Sequence, residues 1–329
     1  MRTKTNHCLD CIKGIGCICV VFIHVKFPGC FGDIVWRLSQ FAVPVFFLTS
    51  GYFAYSLDKD CTDRMVKRRA KRIFWLSVWT TCFYWLTTRA YSWIRNGCPL
   101  GGDANTFLVG VAKFLFLQDV DFSGGGHLWF LWALLWCYVI VLAVNHLSLW
   151  RWVYRLVPLL VVLVVIQYAC RMYFEWTWHT TNFLPAITYV MTGFSLAAHY
   201  DKLRSVPNSQ LLAMIVVGEL VSLVNLLHPV YDFSEVGIIV ASISMFIYAI
   251  KNDIFIIEKS IEIIGRKYSL NIYIYHIIVF VIVTKVFKII GINYLMMVEL
   301  IKPILVVLLT LFFAIFWVKV DIRKIIRRM

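Results

Sequence analysis

The sequence predicts an all-α integral membrane protein of about ten transmembrane helices, with both termini cytoplasmic. Three observations lead there. First, the 329-residue chain is 61% hydrophobic and only 15% charged. A soluble domain of this size cannot hide that much apolar surface, so lipid is the solvent. Second, apolar stretches near the 20 residues needed to cross the hydrocarbon recur along the chain. Third, lysine and arginine are unevenly spread between the loops that these stretches define.

The expected spans are 10–26, 37–57, 73–94, 127–147, 156–174, 182–200, 209–228, 235–250, 269–287 and 301–318. With the N-terminus inside, 22 of the 32 Lys and Arg fall in inner segments, 7 in outer segments and helix ends, and 3 within spans. That bias sets the orientation. The net charge of +14 is then directed at anionic lipid on the cytoplasmic face rather than at nucleic acid. No small-residue cleavage site follows the first apolar stretch, which is expected to stay in the mature protein. Spans and loops together occupy residues 1–329 as a single membrane-embedded domain, with no soluble catalytic domain beside it. The outer segment at about 95–127 carries an apolar run, Thr106 to Leu117, too short to span. It reads as a re-entrant or interfacial helix ending in a Gly124-Gly125-Gly126 hinge.

Polar residues inside the spans are costly and mark function. The first span, CIKGIGCICVVFIH, opens on Lys13 and closes on His24. Eleven positions are about three helical turns, so both lie on nearly one face, roughly 16 Å apart. Asp10 is placed to pair with Lys13. On spacing alone, a snorkelling lysine and an interfacial histidine explain this pair equally well. In FAVPVFFLTSGYF, Pro44 is expected to free backbone carbonyls, and Thr49 to Gly51 to admit a close neighbour, helix or ligand. Arg69 and Arg72 form an R-x-x-R in a basic loop, and the arginine fork suits phosphate. Membrane anchoring explains the charge run as a whole. His127 follows the glycine hinge, above Trp129, Trp132 and Trp136, which suit either an aromatic belt or a sugar platform. Ser269, Tyr273 and His276 recur at helical spacing on one face. No ligand-spaced carboxylate accompanies His24 or His127, so no metal site is expected. Glu219 is an ionisable residue within the seventh span, with Arg171 or Arg89 as possible partners. Cys8 and Cys11 form a lone CxxC without a second pair, which is poor evidence for zinc or redox chemistry. Cys30 and Cys98 are both expected outside, where pairing is open.

Five pieces together resemble acyltransferase family 3, the integral-membrane acyltransferases that modify cell-surface glycans. They are LDCIKGIGCICVVFIH, VPVFFLTSGYF, KRRAKRIFW, GGHLWFLWALL and IGRKYSLNIYIYH, in family order. The chain departs from the pattern at Lys13, where arginine is commoner, and in lacking a proline soon after R-x-x-R. The resemblance implies transfer of an acyl group, usually acetyl, from cytoplasmic acyl-CoA to a hydroxyl of a surface or lipid-linked glycan at the cell (inner) membrane. Acyl-CoA is a co-substrate, and no tightly bound cofactor is implied. Arg69, Arg72 and Lys13 are then expected to meet the polyanionic donor. His24, with a reference pKa near 6.5, acts as general base or as an acyl-carrying nucleophile. Ser269, Tyr273 and His276 are candidate oxyanion donors, and His127 and Trp129 candidate contacts of the sugar. The rival class is a carrier that exports or flips a glycan or small molecule without acyl transfer.

Overall fold

The computed structural model describes residues 6–96, 125–173, 182–227, 233–253, 259–292 and 295–319. These are helical, with no strand among them. The helices are α1 (His7–His24), α2 (Gly29–Leu38), α3 (Ala42–Tyr52), α4 (Lys59–Asn96), α5 (Trp129–His146), α6 (Trp150–Tyr173) and α7 (Phe183–Ala198). Then come α8 (Asn208–Leu227), α9 (Ser234–Lys251), the short α10 (Lys259–Ile263), α11 (Ser269–Ile290) and α12 (Met296–Lys319). A π-helical turn, Ile264–Tyr268, joins α10 to α11.

Among the described residues, seven segments are long and apolar enough to cross a membrane: His7–His24, Gly29–Tyr52, Gly126–His146, Trp150–Cys170, Ser234–Lys251, Lys259–Ile290 and Met296–Val318. Phe183–Ala198 and Asn208–Val224 are apolar but shorter. The expected third span, 73–94, lies inside α4, a continuous helix of 38 residues. The ten spans expected from sequence therefore overlap helices, while seven segments meet the criteria of length and apolarity. Large apolar side chains of α6 (Leu159, Val162, Leu163), α8 (Val216, Val217, Leu220) and α12 (Leu308, Phe312, Phe316) are exposed. Such a surface is stable only against lipid, and this is a multi-pass membrane protein. Of the outer segment at 95–127, residues 97–124 lie outside the described residues, as do Cys98 and the side chain of Arg171.

The chain forms two compact units, residues 1–46 with 201–329, and residues 47–200. In the first, Asn6 caps α1 by accepting from the Leu9 N–H at 2.7 Å. Its amide donates to the Ala249 carbonyl at 3.0 Å, fastening the start of α1 to the end of α9. The expected second span begins earlier than hydropathy indicates and is broken. α2 ends at Leu38, and α3 starts at Ala42. Ser39 Oγ donates to the Val35 carbonyl at 2.7 Å, and the Gln40 amide to the Trp36 carbonyl at 3.1 Å, satisfying the end of α2. Pro44 consequently sits in the first turn of α3, where its missing N–H costs nothing. It frees no mid-span carbonyl, contrary to expectation.

In the second unit the TSG stretch does what its small residues allow. A Cβ on Gly51 of α3 would overlap the Val190 carbonyl, and one on Gly193 of α7 the Leu48 carbonyl. The close neighbour is thus a helix, packed backbone to backbone. Asn145, 3% exposed, clamps the other end. Its amide donates to the Lys59 carbonyl at 3.0 Å and to Asp63 at 2.7 Å. Its oxygen accepts from the Trp150 indole at 2.9 Å.

Candidate active site

In the first unit α1 lies alongside the π-helical turn and α11. A Cβ on Gly265 would overlap the Asp10 carbonyl, and one on Gly14 the Ile261 carbonyl, so the two backbones touch there. Ten residues on from Gly14 is His24; eleven on from Gly265 is His276. Those two rings meet, with centroids 5.1 Å apart and planes inclined at 43°. Two contacts at matching intervals make the helices parallel, as expected of a first and a ninth span.

His276 is fully buried. Its Nδ1 lies 2.8 Å from the Tyr273 carbonyl and 3.2 Å from that of Ile272. Carbonyls only accept, so Nδ1 carries the proton, and in the neutral ring Nε2 is the basic nitrogen. In that tautomer the neutral ring has no proton on Nε2 to give an oxyanion, the role the sequence suggests for it. His24, at the end of α1, is exposed. Tyr273 packs on His276 at a centroid distance of 6.2 Å. Ser269 is not brought to the pair. It lies two turns back, roughly 10 Å along the helix, and its hydroxyl donates to the Gly265 carbonyl at 2.9 Å. That back-bond uses the proton an oxyanion would need.

The opposite end of α1 is charged. Lys13 pairs with Asp10 at 2.5 Å, with only 18% and 10% of the side chains exposed. Glu262 accepts from His7 at 3.0 Å and from Arg266 at 3.1 Å. Arg266 lies in the IGRKYS piece, where nothing in the residue pattern sets it apart from a membrane-anchoring cation.

The remaining expected residues belong to the second unit. Arg69 is partly buried and hydrogen-bonds the hydroxyl of Tyr138, which Ser50 also contacts. Arg72, one turn on, is exposed. The R-x-x-R pair is thus one anchored and one open guanidinium. His127 is 5% exposed and meets Tyr84 edge-on at 4.9 Å. Trp129 packs on Phe47 at 6.0 Å. Trp132 donates to Thr81 at 3.2 Å, tying α5 to α4, and Trp136 is exposed like a residue facing lipid. Among the described residues no three His, Cys, Asp or Glu gather to hold a metal. Ser222, one turn on from Glu219 in α8, donates its hydroxyl to the Glu219 backbone carbonyl at 2.7 Å.

Fold and site define a class: a multi-pass helical membrane protein with paired imidazoles at one end of its first helix and buried or paired charges at the other. Residues 6–318 match the family model of the acyltransferase domain of acyltransferase family 3. That is essentially the whole chain, and the chain belongs to this family of acyltransferases. No curated protein and no solved structure matches it.

Proposed function

We propose that the protein transfers an acyl group, most simply acetyl, from cytoplasmic acyl-CoA to a hydroxyl of a lipid-linked or surface glycan. The observation that carries this reading is the His24–His276 contact in a member of an acyltransferase family. The His276 ring packs on His24, centroid to centroid at 5.1 Å, and so fixes the ring whose neutral nitrogen serves as the base.

In the reaction, that nitrogen takes the proton of the attacking sugar hydroxyl. The oxygen bonds to the thioester carbonyl carbon, the C–S bond breaks, and the proton passes to the departing sulfur. Tyr273, whose ring packs on His276, is the candidate donor to the oxyanion. Lys13 within the first unit, and Arg69 and Arg72 within the second, are each candidate contacts of the donor's phosphates, since positive charge is expected to concentrate on the donor side. His127 and Trp129 support the glycan side from within the second unit rather than as an open platform. The membrane is the cell's inner membrane, and acyl-CoA is a substrate, not a resident cofactor.

The test is incubation of purified protein with radiolabelled acetyl-CoA and a glycan-lipid extract. Label should move to the lipid fraction, and His24→Ala should lower transfer by about 10²–10⁴-fold. Glycan movement across vesicles without acyl-CoA, undisturbed by that substitution, would instead identify a carrier.

A further inference from the structure

The break in the second span places an arginine where hydropathy does not predict one. Gly16 of α1 lies against Ala42, and the side chains of Cys19 and Ser39 are hydrogen-bonded. α1 and the α2–α3 segment therefore run antiparallel in a fixed register. The same register sets Arg37 level with Val21, one turn from His24. A third helix agrees. Asn6 bonds the Ala249 carbonyl, and fifteen residues along each helix, roughly 22 Å, bring Val21 level with Ser234 of α9. Arg37 Nη1 does donate to Ser234 Oγ, at 2.9 Å. Ser234 is 2% exposed, and the next residue, Glu235, is a carboxylate 8% exposed.

Arg37 is held on two sides. Besides Ser234, its guanidinium stands over the Trp36 ring, 5.1 Å from the centroid. Lys26 stands over the same ring at 5.4 Å and is ion-paired with Asp33. A partly buried arginine so fixed, bonded to the residue that precedes a buried carboxylate, is expensive within a membrane span, and such residues are kept for function. The planar fork offers donors that match vicinal hydroxyls or a carboxylate.

We infer that Arg37, fixed by Trp36 and Ser234 in the membrane layer of His24 and His276, binds the saccharide acceptor and orients its hydroxyl toward His24. The side of approach rests on the acyl-transfer reading. Lys13, Asp10 and Glu262 occupy the opposite end of α1, the donor end. Arg37 lies at the acceptor end.

The experiment uses the full chain in phospholipid nanodiscs, free of glycoside detergents. Methyl hexosides, methyl N-acetylhexosaminides and methyl hexuronosides are titrated by saturation-transfer NMR, and acetyl-CoA affinity is measured in parallel. At least one glycoside should bind the wild type. Arg37→Gln should weaken it ten-fold or more, with acetyl-CoA affinity unchanged. Arg37→Lys, which keeps the cation but not the fork, should weaken it about three-fold or more. The inference is overturned if no glycoside binds the wild type, or if Arg37→Gln binds with wild-type affinity. Where Arg37→Gln loses both ligands through misfolding, Arg37→Lys decides, and unchanged glycoside affinity there overturns the inference. Acetyl-CoA turnover and its loss in His24→Ala are scored separately. A wild type that binds glycoside through Arg37 but never cleaves acetyl-CoA sinks the transfer reading and leaves this one standing.

Discussion

At the scale of single residues, the tautomer of His276 constrains the chemistry most. With Nδ1–H on the Tyr273 carbonyl at 2.8 Å, the ring packed on His24 has no further proton to donate while neutral. On the acyl-transfer reading, its role is to position His24. His276→Ala should lower kcat by about 10-fold or more, up to the roughly 10²–10⁴-fold of lost acid–base assistance, while leaving KM for acetyl-CoA unchanged. His276→Phe, which keeps a ring against His24, should recover part of that loss. Equal damage to kcat and donor KM, with no recovery in Phe, would mean that the ring contact does not position His24. The helix positions of His24 and His276 were legible in the sequence because helical spacing reports faces and turns. What spacing cannot report is where a proton goes. Ser269 sits on the expected stripe, yet its hydroxyl is spent on the Gly265 carbonyl. Arg37 was legible only as an outer-rim charge, because the register that sinks it into the span depends on residues in α3 and α9.

At the scale of elements, the contact between α1 and the π-helical turn sets the height of the histidine pair. Both glycines in it meet backbone, not movable side chains. A methyl group at residue 265 must push the turn off α1, and overpacking of this kind costs about 1–3 kcal/mol. Gly265→Ala should therefore lower the melting temperature by several degrees, roughly 2–4 °C for each kcal/mol lost. It should also cut activity, since His276 rides on the displaced helix. A variant with wild-type melting and turnover would show that the two backbones are not in contact. Hydropathy located the first and ninth apolar segments well, but it averages over a window. It therefore ran through the three-residue break after Leu38 and read Pro44 as mid-helix. The polar side chains that satisfy that break, Ser39 and Gln40, are too few to register in such an average. The π-helical turn is invisible for another reason: Ile264–Tyr268 carries no residue foreign to an α-helix.

At the scale of the whole molecule, composition and recurring apolar stretches specified a multi-pass helical protein, and five short motifs in order pointed to its family. The division into two units was not legible. The first unit joins residues more than two hundred positions apart, as in the Asn6–Ala249 bond, and nothing local announces such a contact. Orientation, by contrast, is a bulk electrostatic property, and it decides which side meets acyl-CoA. The excess of Lys and Arg on one set of loops predicts that the start of α4 is cytoplasmic and the turn after α1 extracytoplasmic. Cys30 and Cys61 report on these two places. Cys30 is exposed at the start of α2, and Cys61 is half-buried in the first turn of α4. In variants keeping one of these two cysteines as the sole thiol, a membrane-impermeant maleimide should label Cys30 in intact cells. It should reach Cys61 only after permeabilisation. The reverse pattern would put Lys13, Arg69 and Arg72 on the outer face, away from any cytoplasmic thioester. The donor half of the mechanism would then fall, even with the His24–His276 pair intact.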